Sequence, residues 1–220
     1  YGRTERAAIS SAIMKREYPA TPEEAFAVSG AERYLPDLVY WDACQGVLPP
    51  LTRETQIYLA VDAGISNDHF AIVGTSRHSL RPGDAVLRYA REWVPPRDEK
   101  LDFAEPELEL YRLIETLNIK MVTFDPYQLH DMMTRLRHKR VTRVAEFSQA
   151  DERHEADKHL LDVIMRKGLV HDGTHTEVRT HLDNANREVD SKEKHLRIVK
   201  RTGTKKVDLA VALSMSAYRC

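Results

Sequence analysis

Cysteine is scarce in this chain of 220 residues, which contains only Cys44 and Cys220. The two cysteines lie far apart in sequence and belong to no metal-binding or redox motif. We therefore expect free thiols, as in a reducing compartment. This absence excludes a disulfide scaffold and a cysteine-based zinc site.

Long apolar runs are also missing. No stretch approaches the roughly 20 consecutive apolar residues that a membrane-spanning helix needs. Nothing near the first residue resembles a signal peptide. The sequence therefore predicts a protein without a membrane partner. Because the chain begins with Tyr1 rather than Met, we expect it to be a piece of a longer protein.

An excess of one charge is missing as well. The chain has 33 Lys and Arg residues against 34 Asp and Glu residues, for a formal net charge of -1. A chain-wide basic field is thereby excluded, and any surface that binds nucleic acid has to be local. With 42% hydrophobic and 30% charged residues, the composition is that of an ordinary globular protein. The length predicts one domain, with or without an appendage.

The first part of the chain differs from the rest. Residues 1–50 show no sustained periodicity, and Pro49 and Pro50 end the stretch. "TPEE", at residues 21–24, is typical of a helix start, but a plain linker is the favoured interpretation for most of these residues. We predict a connector over 1–50 and a folded domain over 51–220.

From residue 57 onward the pattern is regular. Alternating apolar residues predict strands over 57–62, 69–76 and 85–94, separated by a short loop and by the turn sequence "RPGD". Helical and strand patterns then follow one another, and the last helix is apolar on nearly every side. This order predicts an α/β fold: a mixed sheet, three antiparallel strands followed by parallel ones, with helices on both faces. The later elements are predicted at 105–117 (helix), 119–124 (strand), 127–139 (helix), 141–147 (strand), 151–168 (helix), 174–185 (helix), 195–200 (strand) and 206–218 (helix).

Three aspartates stand at notable positions. Asp62 ends the first strand, Asp125 ends a later parallel strand, and Asp208 lies in the first turns of the apolar C-terminal helix. Singly, each has a structural explanation, as a turn residue, a helix cap or a partner of a helix dipole. Together they are expected at one edge of the sheet, where open α/β sheets bind ligands. Unpaired carboxylates would repel there, and Mg²⁺ or Mn²⁺ would remove that cost. Two such ions about 3.5–4 Å apart can hydrolyse a phosphodiester.

Longer motifs around these aspartates show a family resemblance. The chain resembles the C-terminal nuclease domain of the large terminase subunit of tailed bacteriophages, which has a ribonuclease H-like fold. The matching stretches, in the expected order, are "EYPATPEEAFAVSG", "AVDAGISNDHFAIV", "FDPYQLHDMM", "ADKHLLDVIMRKGLVHDG", "HLDNANREV", "RIVKR" and "KVDLAVALSMSAYR".

The resemblance implies a Mg²⁺- or Mn²⁺-dependent endonuclease that cleaves double-stranded DNA concatemers during phage genome packaging. It maps the family's acidic triad, which holds two divalent cations, onto Asp62, Asp125 and Asp208. It also implies that "EYPATPEEAF" is the tail of an N-terminal packaging ATPase. These residues contain no phosphate loop of the form G-x-x-x-x-G-K-[ST], so we expect no ATP hydrolysis. The implied partners are a portal protein and a small terminase subunit, and the implied location is the host bacterial cytoplasm.

Four further side chains are of types that bind metals: Asp68, Asp131, His69 and His171. Asp68 follows Asp62 by six residues and is a candidate auxiliary metal ligand, although a solvated loop acid explains it equally well. Asp131 faces away from the apolar stripe of its helix and is interpreted as a surface residue. His69 and His171 receive no role, because a lone histidine is usually structural or solvated.

Two clusters of basic residues are candidates for binding DNA. The cluster "RLRHKRVTR", at 135–143, is best interpreted as a solvated charged face. The second cluster runs from 187 to 206 and leads directly into Asp208, and its "KRTGTKK" segment predicts a flexible basic loop. Such contacts would neutralise phosphates, so cleavage is expected to be largely independent of sequence. The predicted DNA-binding residues are Arg197, Lys200, Arg201, Lys205 and Lys206.

Three alternatives remain open at this stage. An Asp-x-Gly sequence after a strand, here at residues 62–64, also occurs in actin-like ATPases, and Asp172 with Gly173 supplies a second Asp followed by Gly. A non-catalytic DNA-binding module would keep the fold without the chemistry. Other ribonuclease H-like nucleases, such as resolvases and transposases, differ from the terminase interpretation only in the longer motifs.

Overall fold

The computed structural model describes residues 32–63, 69–96, 101–139, 142–149, 152–189 and 196–220. In these residues the central element is a mixed six-stranded sheet with the order β6-β5-β2-β3-β4-β7. Strands β2, β3 and β4 are antiparallel neighbours, β5 and β6 run parallel to β2, and β7 runs parallel to β4. The predicted order of antiparallel and then parallel strands is thus confirmed. These strands are β2 Ile57–Ala63, β3 Phe70–Arg77, β4 Ala85–Trp93, β5 Ile119–Phe124, β6 Val144–Glu146 and β7 Leu169–Val170.

A second, three-stranded sheet has the order β1-β8-β9, with both pairs antiparallel. Only one of its strands, β9, is expected from the sequence. The other two are short and lack a clear alternation of apolar and polar residues, so their pairing depends on contacts between distant parts of the chain. The strands are β1 Glu32–Arg33, β8 Ala185–Val189 and β9 Leu196–Lys200.

The described part of the chain contains six helices, which cover both faces of the large sheet. None of them is long and apolar enough to cross a membrane. They are α1 Val39–Asp42, α2 Ala104–Thr116, α3 Pro126–Lys139, α4 Glu152–Met165, α5 Thr176–Asp183 and α6 Asp208–Arg219.

The sheet separates two apolar cores. Ile57, Leu59 and Val61 of β2 point into a cluster shared with α2 and α3, whereas Ala60 points into a cluster shared with α4 and α6. This alternation follows from the two-residue period of a strand. The same period directs Asp62 to the face that α6 covers. Predicted helices on both faces are confirmed.

Helix α6 is buried along most of its length, as predicted from its apolar sequence. Its serines are satisfied inside the core. The Ser216 hydroxyl donates to the carbonyl oxygen of Tyr58 at 2.7 Å and lies 2.8 Å from the hydroxyl of Thr75. Because these are hydrogen bonds to β2 and β3, they hold α6 against the centre of the sheet.

Part of the predicted connector packs on this fold. Tyr34 and Trp41 are almost fully buried in the core shared with α4 and α6. The Tyr34 hydroxyl donates to the carbonyl oxygen of Asp157 at 2.6 Å. Residues from 32 onward thus belong structurally to the folded unit, while residues 1–31 lie outside the described part of the chain. The division at residue 50 stays a prediction.

Two predicted helix-end signals differ in detail from the structure. Helix α5 begins after His175 rather than at Thr174, because the Thr174 hydroxyl donates instead to Asp172 at 2.6 Å. The helix therefore begins two residues later than the predicted start at Thr174. Helix α4 ends near Gly168 as expected, but Lys167 takes the left-handed conformation, with φ 59°. The amide of Gly168 then donates to the carbonyl oxygen of Val163 at 2.7 Å, which closes the helix end.

Candidate active site

Parallel strands β2 and β5 bring two of the predicted aspartates to one edge of the sheet. Val61 pairs with Phe124, so Asp62 and Asp125 follow at neighbouring positions. One carboxylate oxygen of Asp125 accepts the amide of Tyr127 at 3.0 Å. Asp125 therefore stabilises the start of α3 and also presents its carboxyl group at the sheet edge.

The third aspartate lies on a helix, not on a strand. Asp208 is the first residue of α6 and is only 4% exposed. Asp62, Asp125 and Asp208 all line one cleft with a volume of about 550 Å³. The structure thus brings together the three aspartates that the sequence singled out.

The donor set of this aspartate cleft suits hard divalent cations. Three carboxylates supply anionic oxygen ligands, as Mg²⁺ and Mn²⁺ prefer. The positive end of the α6 dipole also favours an ionised Asp208. In the described part of the chain, His69, Glu92 and His181 form the single group whose three ligand atoms all lie within 4.8 Å of one another.

Basic side chains border the same cleft. Arg197 and Lys200 of β9 line it, as the sequence predicts for residues near the metal. The loop from β9 to α6 carries Arg201, Lys205 and Lys206, which are not among the lining residues. Lys205 is exposed, whereas Arg201 and Lys206 are half-buried.

One basic residue of the cleft, Arg153, was not predicted from the sequence. Arg153 lines the cleft although its side chain is only 6% exposed. Its Nε donates to Asp157 at 2.8 Å, and the same carboxylate oxygen accepts the amide of Ile198 at 2.8 Å. The other oxygen of Asp157 accepts the Ser214 hydroxyl at 2.5 Å. The missed signal was an Arg and an Asp four residues apart within the apolar stripe of α4.

The first basic cluster is paired with other side chains, as expected for a solvated face. Arg135 contacts Glu107 at 2.6 Å and Arg137 contacts Glu146 at 3.1 Å. The Lys139 ammonium lies 4.0 Å from the ring centre of Tyr111. None of these three cations lines the aspartate cleft.

The other candidate ligands from the sequence lie away from the cleft or outside the described residues. Asp68 lies outside the described residues, so its role as an auxiliary ligand stays a prediction. Asp131 is exposed, as predicted. His171 is buried, stacks on Trp41 at a ring distance of 4.1 Å and bonds the Trp41 carbonyl oxygen through Nε2 at 2.9 Å. His171 therefore has a structural role.

The Asp-Gly pair of the actin-like alternative forms a local turn. Asp172 accepts both the amide and the hydroxyl of Thr174, which lowers its pKa, and Gly173 has a φ of 84°. Neither Asp172 nor Gly173 is among the residues that line the aspartate cleft.

A second group of ligand-type side chains lies beside the start of α6. His69 Nδ1 is 2.5 Å from Glu92 Oε2, and His181 Nε2 is 3.0 Å from the same oxygen. Burial opposes ionisation of Glu92, but hydrogen bonds from His181 and His69 outweigh it and lower the pKa of the carboxyl to about 2. We call His69, Glu92 and His181 the histidine cluster.

A family model decides the relationship of this chain to known proteins. The model of the terminase large subunit endonuclease domain matches residues 105–220, which is more than half of the chain. The chain belongs to this family. The matched range includes Asp125 and Asp208 but begins after Asp62. No curated protein sequence matches the chain.

Solved terminases share the fold of this family member. The large terminase of bacteriophage HK97 superposes with a TM-score of 0.73 at 16% identity, over 86% of this chain and 44% of that one. The nuclease of thermophilic phage G20c, solved with bound magnesium, gives 0.60 at 10% identity, over 86% and 97%. The bacteriophage SPP1 nuclease domain, solved with bound Mn, gives 0.52 at 14% identity, over 80% and 96%. The fold is therefore the ribonuclease H-like one, and this chain spans less than half the length of the HK97 protein.

Proposed function

We propose that this terminase nuclease domain is a Mg²⁺- or Mn²⁺-dependent endonuclease that cuts double-stranded DNA concatemers during phage genome packaging. The observation that carries the proposal is the convergence of Asp62, Asp125 and Asp208 in one cleft bordered by basic residues. The magnesium and manganese in the related G20c and SPP1 structures support a divalent cation here.

The three aspartates would together bind two divalent cations. Three carboxylates that line one cleft supply enough oxygen atoms to bind two such ions between them. Such a pair activates a water molecule and stabilises the leaving oxygen of a phosphodiester. Asp62 and Asp125, at the ends of rigid strands, and Asp208, on a buried helix, would supply fixed oxygen ligands.

The basic residues would position the DNA. Arg197 and Lys200 border the cleft, and Arg201, Lys205 and Lys206 continue the basic surface along the loop into α6. Cations there neutralise phosphates and orient the backbone without reading bases. We therefore propose cleavage that is largely independent of sequence.

The rest of the large subunit would precede this domain. Because the chain spans 44% of the HK97 large terminase, we propose that an N-terminal packaging ATPase comes before it and that this fragment hydrolyses no ATP. Tyr34 and Trp41 pack in the nuclease core, and the connector over 1–50 is proposed to join the ATPase to it. We also propose a portal protein and a small terminase subunit as partners, and the host bacterial cytoplasm as the location.

A plasmid-cleavage assay tests the proposal. Wild type and Asp62→Asn are compared in Mg²⁺, in Mn²⁺ and in EDTA, with Asp131→Asn as the control for loss of an exposed carboxylate. Cleavage is expected to need metal, to vanish in Asp62→Asn and to persist in Asp131→Asn. Metal-dependent cleavage that survives Asp62→Asn would show that the aspartate cleft is not the active site.

The non-catalytic and actin-like alternatives have their own readouts. A binding module would retain DNA but would show no cleavage in any metal. An actin-like ATPase would be stabilised by ATP in a thermal melt, whereas a terminase nuclease would not.

A further inference from the structure

Helix α6 begins without a cap of its own. Its N-cap residue is Val207, whose side chain makes no capping hydrogen bond. The first amides of a helix have no partner within the helix and need acceptors from elsewhere, above all when the helix is buried. The amide of Leu209 finds one on another helix, because it donates to His181 Nδ1 of α5 at 3.0 Å.

This hydrogen bond decides the protonation state of His181. A ring nitrogen that accepts an N–H must carry a lone pair, so Nδ1 is unprotonated and the neutral ring carries its proton on Nε2. That proton points at Glu92 Oε2, 3.0 Å away. His69 Nδ1 approaches the same oxygen at 2.5 Å. Glu92 thus accepts from two imidazoles, and His181 connects Glu92 to the start of α6.

The same protonation state argues against a metal site in the histidine cluster. A histidine that binds a metal usually donates its other ring N–H to a carbonyl or carboxylate oxygen. The second nitrogen of His181 instead faces the amide of Leu209, which is itself a donor. If Nε2 of His181 bound a cation, the proton of the neutral ring would move to Nδ1. The Nδ1–H group would then face the amide N–H of Leu209, and neither group could accept a hydrogen bond from the other.

The cluster is also close to the aspartate cleft in the sheet. Asp62 pairs with Ala71 across β2 and β3, and Ala71 pairs with Glu92 across β3 and β4. Paired residues point to the same face, so Asp62 and Glu92 both lie on the face that α6 covers. The small side chain of Ala71 separates them.

We propose that His181 is a positioning residue for Asp208. By capping Leu209 it fixes the first turn of α6, and with it the carboxyl group of Asp208 in the aspartate cleft. Glu92 and His69 hold the His181 ring in the orientation that makes this possible. The proposal rests on the proposed role of Asp208 as a metal ligand.

Two substitutions separate the two nitrogens of His181. In His181→Asn the side-chain oxygen lies where Nδ1 was and can still accept the Leu209 amide. In His181→Gln the side chain reaches as far as Nε2 but places no acceptor at the Nδ1 position. The Asn variant is therefore expected to keep the cap, and the Gln and Ala variants to lose it.

The cap is measured directly by hydrogen exchange of the Leu209 amide, followed by NMR in metal-free protein. Protection is expected to persist in His181→Asn and to fall in His181→Gln and His181→Ala. Mn²⁺ affinity, measured by calorimetry, is expected to fall about 10–100-fold in the Gln and Ala variants, as for other residues that orient metal ligands. The Asn variant is expected to stay near wild type.

A matched control is available in His171, which is 3% exposed and has its own stacking and hydrogen-bond partners. His171→Ala removes an equally buried histidine without touching α6. It is expected to lower the melting temperature but to leave Leu209 protection and Mn²⁺ affinity unchanged. The Asn and Gln pair decides the question even when His181→Ala fails to fold.

Three results would overturn the proposal. The first is unchanged Leu209 exchange in His181→Gln, and the second is an Asn variant that binds Mn²⁺ as weakly as the Gln variant. The third is stoichiometric Zn²⁺ that is lost in His69→Ala, which would make the histidine cluster a metal site. Failure of the proposed function is distinguishable, because Asp208→Asn would then retain Mn²⁺ binding while the Leu209 result stands.

Discussion

The aspartate cleft and the histidine cluster are two groups of ligand-type side chains on the same face of one sheet, and they differ in how their atoms are used. The cleft presents carboxylate oxygens from Asp62, Asp125 and Asp208 around about 550 Å³ of space. In the histidine cluster each close contact joins a nitrogen to Glu92, and the second nitrogen of His181 meets an amide. The histidine cluster is therefore the less suitable metal site. Close spacing of its side chains matters less than the amide that His181 Nδ1 already accepts.

Metal binding gives the largest expected effect and the most direct test of this comparison. At 100 times its dissociation constant, a ligand stabilises a protein by about 2.7 kcal/mol. Mn²⁺ is expected to raise the melting temperature of wild type by several degrees and that of His69→Ala by less, because the His181 ring loses one support, but not to raise that of Asp125→Asn. In EDTA, Asp125→Asn is expected to melt no lower than wild type, because one of three repelling carboxylates is gone.

The opposite pattern of stabilisation would contradict the assignment of the metal site. Mn²⁺ stabilisation that survives Asp125→Asn and disappears in His69→Ala would transfer the metal site from the aspartate cleft to the histidine cluster.

DNA binding is expected to change less. Lys205→Ala combined with Lys206→Ala removes two cations from the loop into α6, and each phosphate contact contributes about 1 to the slope of log affinity against log salt. The slope is expected to fall by about 2, with weaker binding at low salt. Arg135→Ala combined with Lys139→Ala on α3 is the matched control, because those cations are paired with Glu107 and Tyr111. Equal losses in both double variants would contradict the assignment of the DNA surface.

Stability gives the smallest effect and tests the structural role of the histidine cluster. Glu92→Gln is expected to cost about 1 kcal/mol near pH 7, since a partly buried charge-assisted hydrogen bond is replaced by a neutral one. The pKa of Glu92 is lowered to about 2, so its ionised form stabilises the fold above the unfolded value near 4.5. That stabilisation is lost as pH falls from about 4.5 toward 2. Urea titrations across this range measure the difference between wild type and variant.

Glu109 provides a control with a similar electrostatic setting. The hydrogen bond from Arg112, with a second from Tyr89, outweighs partial burial and lowers its pKa to about 2. Glu109→Gln is expected to show the same kind of pH-dependent loss. Leu209 protection should change in Glu92→Gln alone, and a change in both variants would mean that general destabilisation is responsible.

The sequence predicted the sheet strands and the long helices well because their residues alternate or repeat with the period of the element. The bounds of β2, β5 and α3 agree with the predicted ones to within a residue or so. Strands β1 and β8 were missed because Glu32 pairs with Arg187, far along the chain, and no local pattern records such a contact. The helix start at Thr174 was misplaced because the nearby Asp172 takes its hydroxyl.

The residues of the candidate site also differ in whether the sequence predicted them. Asp62 and Asp125 follow directly from the ends of parallel strands, and Asp208 from the start of an apolar helix. Arg153 was missed although its partner Asp157 lies four residues away on the same helix. His181 was missed because its partners, Leu209 and Glu92, lie on other elements. His69 was assigned no role, because a lone histidine is usually structural or solvated.

By itself, the sequence determined the order of the elements, the apolar faces of the sheet and the three aspartates at its edge, because these depend on periodicity and on where each strand ends. Only the tertiary structure decided which ligand-type residues line the open cleft and which meet at one carboxylate beside the start of α6. The physical reason is that a nitrogen or oxygen becomes a donor, an acceptor or a metal ligand according to the atom opposite it. For His181 that atom is the amide of Leu209, 28 residues further along the chain.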